Sequence, residues 1–178
     1  MNVYLDHAAT TKLDDEVFEA MKPYFKDVFG NASSQHAFGR AALNSIDNAR
    51  EQIANAVGAK PNEIYFTSGG TEADNWAIKG LVYARKAKGK HIITSVVEHH
   101  AVLHAVNQLV KEGYEASYIP ILHNGEVDVE ALKKAIRPDT VLITIMFANN
   151  EIGTVQPIKE ISAICKENGI VFHTDAVQ

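Results

Sequence analysis

A carboxylate placed just past an apolar strand invites a chemical explanation, and "GIVFHTDAVQ" (169–178) contains one. Ile170, Val171 and Phe172 read as part of a buried strand, and Asp175 follows it. The residue suits a helix N-cap for whatever comes next. It equally suits a carboxylate held to pair with a protonated ring nitrogen. A second segment, "TSGGTE" (67–72), has two glycines after a β-rich run and Thr71 at the start of a helical pattern. Backbone N–H groups exposed there, with the helix dipole, fit a phosphate, and the Thr71 hydroxyl adds a donor. The alternative is a tight turn with Thr71 as N-cap. The segment matches neither G-x-G-x-x-G nor G-x-x-x-x-G-K-[ST], so the nucleotide motifs do not apply.

Ring chemistry that needs a carboxylate partner is that of pyridoxal phosphate, whose protonated pyridine is the better electron sink. His99, just past "HIITS", reads on its own as a capping or partly buried histidine. His99, His100, His104 and Glu98 also raise a metal site, since His100 and His104 lie one helical turn apart. No second ligand cluster joins them, and "HHAVLHAV" reads more simply as an amphipathic helix with its polar residues outward. No metal is expected. Cys165, the single cysteine, falls in the apolar pattern beside Ile161 and Ile164 and is expected to be a core thiol.

The elements that would position these residues alternate along the chain. "DDEVFEAMKPYF" reads as a helix opened by Asp14 or Asp15 and limited by Pro23. After the polar "GNASSQHAFG", a helix from about Arg40 to Val57 carries Ile46, Ala49, Ile53 and Ala56 on one face, and Gly58 suits its C′ position. Strands are expected at "EIYFT" (63–67), "HIITS" (91–95), "ASYIPI", "TVLITIM" (140–146) and "IVFHT". Helices between them carry Trp76 and Leu81; bury Val102, Val106, Leu109 and Val110 up to Gly113; start at Asp128; and run through "IKEISAICKENG". Asn124-Gly125 marks a turn. The alternation predicts an α/β fold with a doubly wound, mostly parallel sheet. Ligands of such sheets sit beyond the carboxyl ends of the strands. That puts "SGGTE", "SVVEHH", "FANNEIG" and "TDAVQ" on one edge.

With 178 residues, 46% hydrophobic and 22% charged, the composition is that of a globular protein with room for one sizeable core. A net charge of −5 without charge runs gives no footprint for nucleic acid or a membrane surface. "MNVYLDHAATT" lacks a basic region and an apolar run, so it is no secretory leader, and one cysteine makes no internal disulfide. A cytoplasmic location is expected.

In order along the chain, "YLDHAATT", "GNASSQHAFG", "FTSGGTEADN", "HIITSVVEHHAVL", "ANNEIGTVQPI" and "FHTDAVQ" resemble the N-terminal half of the cysteine desulfurases of nitrogen-fixation and iron–sulfur-cluster type. These are class V aminotransferase-group, fold-type I pyridoxal 5'-phosphate enzymes. The resemblance runs from Tyr4 to Gln178. It implies that Gly70 and Thr71 cradle the cofactor phosphate and that His99 stacks on its ring and moves protons. It also implies that Asp175 pairs with the pyridine nitrogen, that Gln178 bonds the phenolic oxygen, and that Asn150 sits by that oxygen and the substrate carboxylate. Family members convert L-cysteine to alanine and pass its sulfur to an enzyme cysteine as a persulfide. A homodimer, and an iron–sulfur scaffold or other sulfur-acceptor protein, are the implied partners. Departures are Ala32 for a usual proline and Gly70 where alanine is frequent. The family's Schiff-base lysine and persulfide cysteine fall beyond Gln178, and Cys165 does not match the latter.

The chain is therefore expected to be a 1–15 N-terminal segment plus, at 16–178, the first part of the cofactor-binding large domain. The rest of that domain and a small C-terminal domain would be absent through truncation, a split gene or proteolysis. A selenocysteine lyase-like enzyme, or a non-catalytic piece that binds a partner chain, are the competing readings.

Overall fold

The computed structural model describes residues 1–178, which divide into two compact units, Met1–Phe66 and Thr67–Gln178. The first holds α1 (Asp15–Lys26), α2 (Ala37–Val57) and a 3₁₀ turn at Pro61–Glu63. Asp14 opens α1, its carboxylate accepting from the Glu16 and Val17 amides. Pro23 does not limit the helix, which continues to Lys26. On an exposed helix the missing N–H removes one bond and can be absorbed as a bend. Gly58 ends α2 at φ 70°, the left-handed conformation expected of a C-terminal glycine. The approach to α2 is tight: a Cβ on Gly30 would run into the Phe38 carbonyl, and one on Gly39 into that of Ser34. In this unit only Gly39, Ala42 and Ala54 are buried within a helix.

The second unit contains α3 (Gly70–Ala84), β1 (His91–Ser95), α4 (His100–Lys111), β2 (Glu115–Ile119), α5 (Val129–Ala135), β3 (Thr140–Thr144), α6 (Ile158–Glu167) and β4 (Val171–His173). All strand pairs are parallel, in the order β2-β1-β3-β4. Adjacent residues of one strand serve opposite faces. Ile93 and Ile143 pack with Leu132 of α5 and Ile161, Ile164 and Cys165 of α6. Ile92 and Leu142 pack with Ile78 and Val82 of α3 and Val102, Val106 and Leu109 of α4. Every residue of β1 and β3 is buried, as double cover requires. The doubly wound parallel sheet is thus present.

Three expectations need correction. "EIYFT" forms no strand: Glu63 closes the 3₁₀ turn, Tyr65 and Phe66 are exposed, and the sheet has four strands that do not include it. β-forming residues make a strand only where a neighbour takes their backbone bonds. "IVFHT" is half-buried, because β4 is an edge strand. Val110 is exposed, one position off the buried stripe of α4.

Candidate functional site

The sheet's winding changes direction between its two central strands. From β1 the chain moves outward to β2, crosses back to β3, and continues to β4 on the other side. Beyond the carboxyl ends of β1 and β3 the loops diverge, the place where open α/β sheets hold ligands. A cavity of about 310 Å³ lies there, lined by Val96–His100, Leu103, Ile121 and Asn149–Ile152. His99 and Asn150 therefore face one space.

His99 is the N-cap of α4, its Nδ1 accepting from the Ala101 amide at 3.2 Å. The capping reading of His99 is the one seen. With Nδ1 an acceptor, a neutral ring carries its proton on Nε2, the atom the cap does not use. His100 and His104 stack on each other, centroids 5.5 Å apart, and both are exposed.

Asp175 is 9% exposed. Its carbonyl accepts from the Phe147 amide at 2.7 Å, which extends the β3–β4 ladder past its last paired residues, and its Oδ1 accepts from Val177 N at 3.0 Å. The Val177 that follows reaches helix α3: a Cβ on Gly70 would come 3.0 Å from its Cγ2. An alanine there asks Val177 to give by a few tenths of an ångström, which a side chain as exposed as this one can do. No side chain caps α3. Gly69, not Thr71, holds the N-cap position, and a Cβ on Gly69 would meet nothing within 4 Å. Thr71 lies in the first turn with its hydroxyl outside the cap. The α3 amino terminus is thus an open, donor-rich end beside the segment that carries Asp175.

Deeper in, His173 ties the same pieces together. Its Nδ1 lies 2.8 Å from Thr144 Oγ1 and its Nε2 3.5 Å from Asp74 Oδ1 on α3, an ion pair when the ring is protonated. Of the residues that the sequence puts on the strand-end edge, the cavity past β1 and β3 gathers two. His99 and Asn150 line it, while Gly70, Thr71, Asp175 and Gln178 are not among its lining residues.

One residue carries electrostatics that the sequence reading missed. Glu98, considered only as a metal ligand, is 5% exposed at the end of β1. Its Oε1 accepts from the Ser95 hydroxyl at 2.5 Å and the Met146 amide at 3.0 Å, and its Oε2 has no partner. Burial raises its carboxyl from 4.5 to about 7, and the Asp175 carboxylate adds to the rise. The available signal was an acidic residue placed directly between the apolar pair Val96-Val97 and the histidine that follows the strand.

The fold keeps the Glu98 proton up to about pH 7. The unfolded chain loses it near 4.5. Stability from this group therefore falls as pH rises between those values and levels off above the upper one. At 1.36 kcal/mol per unit the loss is about 3 kcal/mol. Urea unfolding at pH 5 and pH 8 should show the parent losing about that much relative to Glu98→Gln, which cannot ionise. Parallel changes in the two proteins would refute the shift.

Similarity to known proteins runs over essentially the whole chain. The family model for aminotransferase class-V matches residues 3–178. The chain is 61% identical over 176 residues to the cysteine desulfurase IscS of Dictyoglomus turgidum, covering 99% of this chain and 45% of that one. It is 58% identical to the IscS of Methanosarcina thermophila, covering 99% and 44%. Among solved structures, a NifS-like protein superposes with a TM-score of 0.97 at 39% identity, covering 100% of this chain and 50% of that one. SspA in complex with cysteine gives 0.94 at 45% identity, covering 98% and 50%. The chain spans about half the length of the curated relatives it matches.

Proposed function

We propose, for a chain that belongs to the class-V aminotransferase family, that it is the N-terminal, cofactor-binding part of a cysteine desulfurase working with pyridoxal 5'-phosphate. In this reading residues 16–178 belong to the cofactor-binding large domain. The observation that carries it is a carboxylate only 9% exposed, Asp175, on the segment whose Val177 reaches the uncapped amino terminus of α3, and near enough to the cavity-lining Glu98 for its charge to act there. The residues present fit the cofactor's two charged ends. The Gly69–Thr71 backbone and the Thr71 hydroxyl suit a phosphate, and Asp175 suits a protonated pyridine nitrogen. The bound cofactor would supply an electron sink for bonds at an amino acid's α-carbon.

The chain's own side chains then divide the work. Asp175 holds a proton on the ring nitrogen. His99, with Nδ1 committed to the Ala101 amide, offers Nε2 for proton transfer and its ring face for stacking. Asn150 and Gln178 bind and orient by hydrogen bonding to the phenolic oxygen, with Asn150 also reaching the substrate carboxylate. The relatives named as cysteine desulfurases and the neighbour solved with cysteine support L-cysteine as substrate, with sulfur leaving for an acceptor in iron–sulfur cluster assembly or other sulfur delivery. The apolar side chains exposed on α1 support a homodimer. No helix is long and apolar enough to cross a membrane, which agrees with a cytoplasmic enzyme.

The test is Asp175→Ala. A charge-assisted buried hydrogen bond is worth roughly 1.5–3 kcal/mol, so affinity for pyridoxal 5'-phosphate should fall about 10- to 150-fold in a spectrophotometric titration. His99→Ala should retain more of the cofactor and slow proton transfer instead. Unchanged affinity in the Asp175 variant would sink the assignment.

A further inference from the structure

Two buried polar side chains of the cavity lining, Glu98 and Asn149, also join the loops that carry His99 and Asn150. Glu98 reaches from the β1–α4 turn to the end of β3 through the Met146 amide. Asn149, 7% exposed, makes the return link: its Nδ2 donates to the Val97 carbonyl at 3.0 Å. Its Oδ1 meanwhile accepts from the Glu151 and Ile152 amides at 2.8 and 2.9 Å, which shapes the loop that follows. The arrangement is reciprocal. A side chain from the β1 side bonds backbone on the β3 side, and a side chain from the β3 side bonds backbone on the β1 side. Each donor or acceptor stands one residue before a cavity residue, Glu98 before His99 and Asn149 before Asn150.

The location explains the need. The β1–β3 ladder ends at the pair Thr94 and Thr144. Past it no main-chain hydrogen bond joins the β1–α4 turn to the segment that follows β3. Burying a carboxyl with one oxygen unpartnered costs free energy that an apolar residue would avoid. The residue types are explained if the bonds set a distance.

We propose that Glu98 and Asn149 are positioning residues, a reciprocal brace that fixes the separation of His99 and Asn150. Its meaning for the reaction rests on the cofactor and substrate reading given above; its geometry does not.

The test is nuclear magnetic resonance on the 178-residue chain, with a pyridoxal 5'-phosphate titration on the same samples. Glu98→Ala should speed Met146 amide exchange at least tenfold and shift the His99 ring ¹⁵N signals, while the amides of Ile92 and Ile93 stay protected. Glu98→Gln should restore both, because its Oε1 accepts from the same two donors. Asn149→Asp keeps the acceptor for Glu151 and Ile152 but loses the donor to Val97, and should move the His99 signals in the same way. Cofactor affinity should fall about tenfold in Glu98→Ala and in Asn149→Asp, and less than additively in the double variant. Unmoved His99 signals in both variants would overturn the brace. So would protection lost evenly across the sheet without rescue by Glu98→Gln. The expected shifts in a parent chain that binds no pyridoxal 5'-phosphate would support the brace and overturn the cofactor reading.

Discussion

Supplied with pyridoxal 5'-phosphate and L-cysteine, the 178-residue chain should release no sulfide above the protein-free background. Sulfur abstraction needs a thiolate within reach of the substrate sulfur. The chain has one thiol, Cys165, on α6, 1% exposed and packed against Ile161 and Ile164 in the core on the α5–α6 side of the sheet. Burial pushes that thiol up to about 11. At pH 8 about one molecule in a thousand would carry the thiolate, against about a quarter for an ordinary cysteine of pKa ~8.5. The ionised fraction is thus lower by more than a hundredfold, before access is considered. Access compounds it, since the residue sits on a helix within the sheet's cover and not among the strand-end loops that line the cavity. Two measurements check this: sulfide release, and the rate of reaction with a disulfide reagent. The reagent should react slowly in the native chain and rapidly in denaturant. Sulfide release that Cys165→Ala abolishes would overturn the expectation.

The elements that were legible in the sequence are those whose pattern is local. β-branched runs covered on both faces gave β1 and β3. The apolar stripes gave α4 and α6, and caps such as Asp14, Asp128 and Gly58 sat where their chemistry put them. What escaped was set by partners distant in the chain. "EIYFT" has a strand's composition, but pairing is tertiary. Pro23 has a terminator's chemistry, yet an exposed helix can tolerate one missing bond.

The candidate site divides in the same way. Asp175, His99 and the glycines that open α3 stand at strand and helix ends that periodicity locates, so their residue types could be read directly. Glu98 and Asn149 act through bonds spanning 48 and 52 residues of sequence. Nothing in either neighbourhood names the other. A buried acid next to a strand end hints at a tertiary bond but does not say to what.

The same dependence on distant partners should show in solution as self-association. Both hydrophobic clusters belong to the Thr67–Gln178 unit. The Met1–Phe66 unit has neither, and α1 buries no residue at all: Val17, Phe18, Met21, Tyr24 and Phe25 are exposed, Phe25 at 74%. These positions recur at helical spacing, so they form a continuous apolar face and not scattered side chains. Leaving apolar surface in water forgoes roughly 25 cal/mol per Å². A face of a few hundred Å² thus forgoes several kcal/mol, a large share of the roughly 5–15 kcal/mol total stability of a typical domain. Covering the face with a second copy is the available gain, and mass action makes it concentration-dependent. Between about 1 and 100 μM, sedimentation should show a dimer or larger species replacing monomer, and the melting temperature should rise with concentration. Phe18→Ser with Phe25→Ser should shift the distribution toward monomer without moving the amides of β1 and β3, since those strands belong to the other unit. A monodisperse monomer whose sharp melt ignores concentration would mean that α1 needs no cover, and the homodimer proposal would lose its structural support.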